Sequence, residues 1–186
     1  MTSRETGNNW VSALILPGIG NSGPQHWQTL WEHQHSDWRR VQQRDWDRPV
    51  CEEWVLGLDD AISRLSTPPV LIAHSMGCLV VAHWARRSSA RVRAAFLVAV
   101  PDPSGPCFPS MAEGFRPVPM ERFTFPSLVV ASSDDPFGSV AYAQRCAAAW
   151  GSVFVEIGTA GHINADSGLG DWRNGRKLLD GLLASF

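Results

Sequence analysis

The sequence contains no apolar run near the roughly 20 residues that a membrane-spanning helix needs, no block of like charge and no paired cysteines. Each absence removes a class of protein. Without a long apolar run, no membrane partner is expected. Lys and Arg total 16 against 18 Asp and Glu, a net charge of −2, so nothing draws the chain electrostatically to nucleic acid or an anionic surface. Cys51, Cys78, Cys107 and Cys146 lie far apart with no C-x-x-C spacing, which argues against a disulfide framework or a zinc centre and for a reducing cytoplasm. Residues 1–9 are polar and lack the apolar centre of a secretion signal, so they read as a frayed lead-in. Internal repeats and low-complexity tracts are also missing. What remains, 186 residues that are 44% hydrophobic and 18% charged, is an ordinary globular composition, expected to form one domain over residues 1–186 with a substantial core.

Along the chain, strand and helix patterns alternate. Residues 11–16 are apolar almost throughout, as a strand covered on both faces should be. A glycine-rich loop follows, Pro17-Gly18-Ile19-Gly20-Asn21-Ser22-Gly23-Pro24, then a helical stretch over 25–34 with Pro24 suited to its first turn. Residues 38–42 form a short polar strand, and Val50, Trp54, Leu58, Ile62 and Leu65 give 50–65 a helical period. Strands are expected at 70–73, 92–100, 128–131 and 153–157, and helices at 76–87, 140–150 and 176–186. Residues 101–126, with seven prolines and two glycines, form an irregular segment of a length that is usually functional or mobile. The alternation predicts an α/β fold, a mostly parallel sheet of about six strands with helices on both faces. Ligands of such sheets lie beyond the carboxyl ends of the strands.

Candidate functional residues all fall there. Between the strand 70–73 and the helix 76–87 there is no room for a loop, so Ser75 must stand at the apex of a sharp turn, flanked by the small residues Ala73 and Gly77. This is the setting of a G-x-S-x-G nucleophile elbow with alanine in the first position. The plainer reading is a serine N-cap. A serine hydroxyl needs a general base, and the base needs an acid on its other nitrogen. His162 follows the last strand, and Asp134-Asp135-Pro136-Phe137 follows the strand before it, giving the chain order Ser, Asp, His. Asp135 is taken as the acid because it precedes the turn into the next helix, and Asp134 as a brace. Either could instead cap that helix, and His162 could be a loop histidine bonded to backbone. Oxyanion donors are expected from the backbone N–H of Met76 and from Ile19 or Gly20. Gly18, His26 and Trp27 are candidate pocket residues, with a helix-start histidine over a core tryptophan as the structural alternative for the last two. His74 reads as a brace, Asn164 and Asp166 as holders or caps of the histidine loop, and His33 and His35 as surface residues. No metal or cofactor is expected.

The loop Gly18-Ile19-Gly20-Asn21-Ser22-Gly23 is also a literal G-x-G-x-x-G, with Asp45 and Asp47 near the distance of a ribose-binding acid. Pro17 and Pro24 bracket those glycines, little chain is left for a substrate domain, and a dinucleotide reading leaves Ser75, Asp135 and His162 without a purpose. A non-catalytic interaction module working through residues 101–126 is the other alternative.

Taken together, the Pro17-Gly18 loop with His26-Trp27, Ala73-His74-Ser75-Met76-Gly77, Ser132-Ser133-Asp134-Asp135-Pro136-Phe137 and Gly161-His162 resemble the small serine hydrolases grouped with retinoblastoma-binding protein 9 and the bacterial YdeN-like proteins. The resemblance spans nearly the whole chain, and the continuation from His162 to Gly168 looks like the bacterial branch. It implies an α/β-hydrolase core without a large lid domain, a Ser75–Asp135–His162 triad, and a small ester or amide as substrate. The L-x-C-x-E segment of the retinoblastoma-binding member is missing, so that partner is not carried over.

Overall fold

The computed structural model describes residues 12–186; the expected lead-in at 1–9 and the start of the first strand lie outside them. The chain forms β1 (Ala13–Leu16), α1 (Trp27–His33), β2 (Trp38–Arg40), α2 (Cys51–Ser63), β3 (Val70–His74), α3 (Met76–Arg87), β4 (Ala94–Val98), β5 (Ser127–Ala131), α4 (Val140–Trp150), β6 (Val153–Glu156), a 3₁₀ turn (Ala165–Ser167) and α5 (Arg173–Leu183). The strands make one six-stranded sheet in the order β2-β1-β3-β4-β5-β6, every pair parallel. No large additional domain is present among the described residues.

The near-continuous apolar strands follow from burial on both sides. Side chains alternate across a strand, so Leu14, Leu16, Leu71, Ala73, Ala95, Leu97, Val129 and Ala131 pack beneath α2, α3 and α4. Ala13, Ile15, Val70, Ile72, Phe96, Val98 and Val130 pack beneath α1 and α5. The second layer is closed by an aromatic cluster in which Trp31 stacks on Trp172 at 6.0 Å between centroids and Trp27 meets Trp31 edge-on at 4.7 Å. Such contacts add stability beyond the area they bury.

Element boundaries moved where a side chain decided them. Helix α1 begins after Pro24, because Pro24 and Gln25 sit in a turn closed by His26 N–H donating to Gly23 O, and the His26 ring then caps the helix. Helix α5 begins at Arg173, three residues before the expected start. Trp172 takes a left-handed conformation there (φ 40°), and Gly175 leaves room for its ring, which a Cβ would meet at 2.2 Å. The segment 101–126 forms neither helix nor strand yet is packed, with Phe115 and Phe123 buried in the core.

The sheet order reverses direction between β1 and β3. In open parallel sheets the crevice at that switch point is where ligands bind. The glycine loop leaves β1 there, and Ser75 leaves β3.

Candidate active site

Ser75 joins β3 to α3 with φ 55° and ψ −126°, a conformation strained for any residue with a side chain and a known trait of functional turns. The turn is held by Ser75 N–H donating to Val98 O at 2.9 Å. It also requires Gly77: a Cβ there would lie 2.3 Å from the Leu16 carbonyl oxygen, so the helix could not come so close to β1. Gly18 serves the same approach from the other side, since its Cβ would sit 2.7 Å from Ser75 Cβ. The close passage that the glycine loop provides is thus spent on Ser75. The Asp45 carboxylate accepts from the N–H groups of Asp47 and Arg48 in its own exposed turn.

The three residues singled out from separate loops meet. Ser75 Oγ lies 2.8 Å from His162 Nε2, and His162 Nδ1 lies 2.9 Å from both carboxylate oxygens of Asp135. An ionised carboxylate only accepts, so the imidazole proton sits on Nδ1 and the Nε2 lone pair accepts from the serine hydroxyl. Asp135 Oδ1 also accepts from Phe137 N–H, which fixes the carboxylate, and its side chain is 2% exposed.

The neighbouring acid has a different task. Asp134 Oδ1 accepts from Ser132 Oγ–H and from the N–H groups of Ala160 and Gly161, clamping the loop that carries His162. These bonds, Ser132's first, hold its carboxyl below the usual carboxylate range. Two further braces reach that loop from below: Trp27 Nε1–H donates to Ile163 O, and His74 Nε2–H donates to His162 O, each at 2.8 Å. Trp27, expected as a pocket wall, is instead 1% exposed beneath the site, because its indole is drawn into the aromatic cluster. His74 braces the histidine loop as well as ending β3. Nothing in the sequence near Trp27 pointed to Ile163, since the two are 136 residues apart. Asn164 and Ser167 cap the 3₁₀ turn, and Ser167 Oγ–H ties back to Ala160 O. His35 stacks on Trp38 and accepts from Arg176.

A cavity of about 260 Å³ opens in front of Ser75, bounded by Gly18, Ile19, His26, Met76, Phe137 and His162, with Pro101 and Pro109 closing it from the proline-rich segment. Of the expected oxyanion donors, Gly20 is excluded. Its N–H donates to Trp46 O at 2.9 Å, which turns it out of the cavity. Met76 N–H at the first turn of α3, and Ile19 N–H, have no protein acceptor among the described residues and border the cavity. Among the described residues no group of three or more His, Cys, Asp or Glu side chains is placed to hold a metal ion.

This sheet, with its strand–turn–helix at Ser75, is the α/β-hydrolase fold. Residues 13–181 match the serine hydrolase family, and the chain belongs to it. It is similar to a protein from Pectobacterium atrosepticum described as a YdeN-like hydrolase, at 32% identity and a TM-score of 0.83 over 94% of this chain and 91% of that one. The ydeN gene product of Bacillus subtilis shares the fold at 18% identity and a TM-score of 0.77, covering 94% and 100% of the two chains. Carboxylesterase CesB of the same organism shares it at 13% identity and a TM-score of 0.68, covering 96% and 86%. No curated protein matches the sequence significantly. No helix among the described residues is long and apolar enough to cross a membrane.

Proposed function

We propose that this hydrolase cleaves a small carboxylic ester, or an amide, through a Ser75–His162–Asp135 triad and an acyl-enzyme. The observation that carries the reading is the unbroken hydrogen-bond chain from Ser75 Oγ through His162 to Asp135 at the mouth of a small cavity. Ser75 Oγ attacks the carbonyl carbon as its proton passes to His162 Nε2, and Asp135 stabilises the imidazolium. The carbonyl oxygen, now an anion, receives the N–H groups of Met76 and Ile19, donors already fixed in place before the charge develops. Collapse of the tetrahedral adduct expels the alcohol or amine with the proton from His162. Water, deprotonated by His162, then releases the acid and restores Ser75.

We further assign residues 1–186 to one domain and, from the four free cysteines, the protein to the reducing cytoplasm. A fluorophosphonate probe should add covalent mass at Ser75, and Ser75→Ala should abolish both labelling and hydrolysis of p-nitrophenyl esters. Folded protein that takes up no probe, or a Ser75→Ala variant that hydrolyses esters at the wild-type rate, would overturn the reading.

A further inference from the structure

One polar group at the cavity takes no part in those steps. His26 borders the cavity, yet its side chain is almost wholly buried, with the residue 4% exposed. Its Nδ1 accepts the Gln28 N–H at 3.1 Å as the cap of α1. A neutral imidazole that accepts at Nδ1 must carry its proton on Nε2. Burial first, then the charge of Arg40 and the nearness of His162, push its pKa down to about 4, so the ring is neutral at ordinary pH.

The helix cap therefore fixes both the tautomer and the direction of a donor. That donor, His26 Nε2–H, is buried and has no hydrogen-bond partner among the described residues. Its aromatic neighbours, His74 at 4.7 Å and Trp27 at 5.4 Å between centroids, place no acceptor within hydrogen-bond reach of it. The one ring proton of His74 is already committed to His162 O. Buried donors without partners are costly and rare, and this one belongs to a residue that lines the cavity, where a ligand that displaces its cover can bring the missing acceptor. Pro101, Pro109, Phe137 and Ala165 give the cavity apolar wall, and Asn21 and Asn164 are the other polar side chains beside the triad and His74, so a donor fixed in direction has a say in orientation.

We propose that His26 Nε2–H is the specificity-determining donor of this cavity, selecting esters that carry a second, uncharged oxygen acceptor beyond the scissile group over hydrocarbon esters of the same size. The match is to a hydroxyl or carbonyl oxygen, because a neutral imidazole supplies no charge to offset a carboxylate. The inference rests on hydrolysis at Ser75.

Paired substrates test it. On the acyl side, p-nitrophenyl 3-hydroxybutyrate is compared with p-nitrophenyl 3-methylbutyrate; on the alcohol side, 2-hydroxyethyl butyrate with propyl butyrate. The ratio of kcat/KM within at least one pair should favour the oxygenated ester by about fivefold or more, the worth of one hydrogen bond. His26→Asn keeps an amide oxygen where Nδ1 caps α1 but has no atom that reaches Nε2, so the ratio should fall to near one while the thermal midpoint is largely kept. His26→Gln does the reverse, returning a donor near Nε2 and part of the preference while losing the cap. The pair that responds tells whether the acceptor lies on the acyl or the alcohol portion. Ratios near one in both pairs for the wild type, a preference unchanged in His26→Asn, or hydrolysis of neither pair would overturn the proposal. Probe labelling of Ser75 in the same samples separates the two ideas: labelled protein with no preference defeats the role of His26 alone, whereas unlabelled protein defeats the hydrolytic reading on which it rests.

Discussion

Replacing Gly77 by alanine adds a single methyl group at the most crowded contact of the site. Its carbon would lie 2.3 Å from the Leu16 carbonyl oxygen and 3.0 Å from both the Leu16 carbon and the Pro17 oxygen. All three are backbone atoms, and Leu16 is held in the sheet by its register with Ala73. No rotamer change can relieve the overlap, so α3 and the end of β1 must separate by about 1 Å. Overpacking of this kind costs about 1–3 kcal/mol or more, offset by less than about 1 kcal/mol from the helical preference for alanine. The expected net loss is about 2 kcal/mol, which for a chain of this size lowers the thermal midpoint by about 4–8 °C. The separation also carries Gly18 and Ile19 away from Ser75, so fluorophosphonate labelling should slow together with the loss of stability. Gly181→Ala is the control: the same change in α5 meets nothing within 4 Å and should stabilise the protein slightly, by about 0.5–1 kcal/mol. A Gly77→Ala protein melting within about 2 °C of wild type, with unchanged labelling, would refute this account of the turn.

The two adjacent aspartates should separate by assay. Asp135→Asn should lower kcat for ester hydrolysis by up to about four orders of magnitude with little effect on melting, since the wrong tautomer is then favoured at His162. Asp134→Asn should chiefly weaken the His162 loop, read as faster amide exchange at Ala160 and Gly161. Because the folded-state carboxyl of Asp134 titrates below 3.8, its contribution is present above that pH and lost as the pH falls through the lower folded value, so the stability gap to Asp134→Asn should close in acid. His26 gives a second pH dependence. Its pKa falls from 6.5 unfolded to about 4 folded, so the unfolded chain binds the extra proton between those values. Its stabilisation is full above pH 6.5 and is lost as the pH drops toward 4, a change of about 3 kcal/mol in urea unfolding. Buried His74 shifts the same way, and a stability profile flat from pH 7 to 4.5 would contradict both.

The alternation of apolar runs with helical periods made the fold class legible, because a strand buried on both faces has to be apolar at nearly every position and few arrangements other than a parallel sheet bury it so. The chain order of Ser75, Asp135 and His162, each just past a strand, was legible for the same reason: parallel strands deliver their following loops to one end of the sheet. Which loop contacts which was a different matter. That Gly20 turns its N–H to Trp46 while Ile19 faces the cavity depends on one loop meeting another 26 residues away, and no local pattern encodes it. Trp27 looked like a possible wall because of its place beside the glycine loop, but its indole is held by Ile163 and by aromatic neighbours from distant parts of the chain.

Sequence by itself therefore determined the sheet, the turn at Ser75 and the order in which the chemistry-bearing residues arrive, since these follow from periodicity, small residues at tight turns and the hand of parallel connections. Tertiary structure alone decided that Trp27 lies beneath the site and ties to Ile163, that the Gly20 N–H is held by Trp46, and that His26, lining the cavity, keeps a buried proton without a partner among the described residues. Those outcomes rest on hydrogen-bond directions and on packing between segments far apart in the chain, where a difference of an ångström or one ring flip changes what a residue can do.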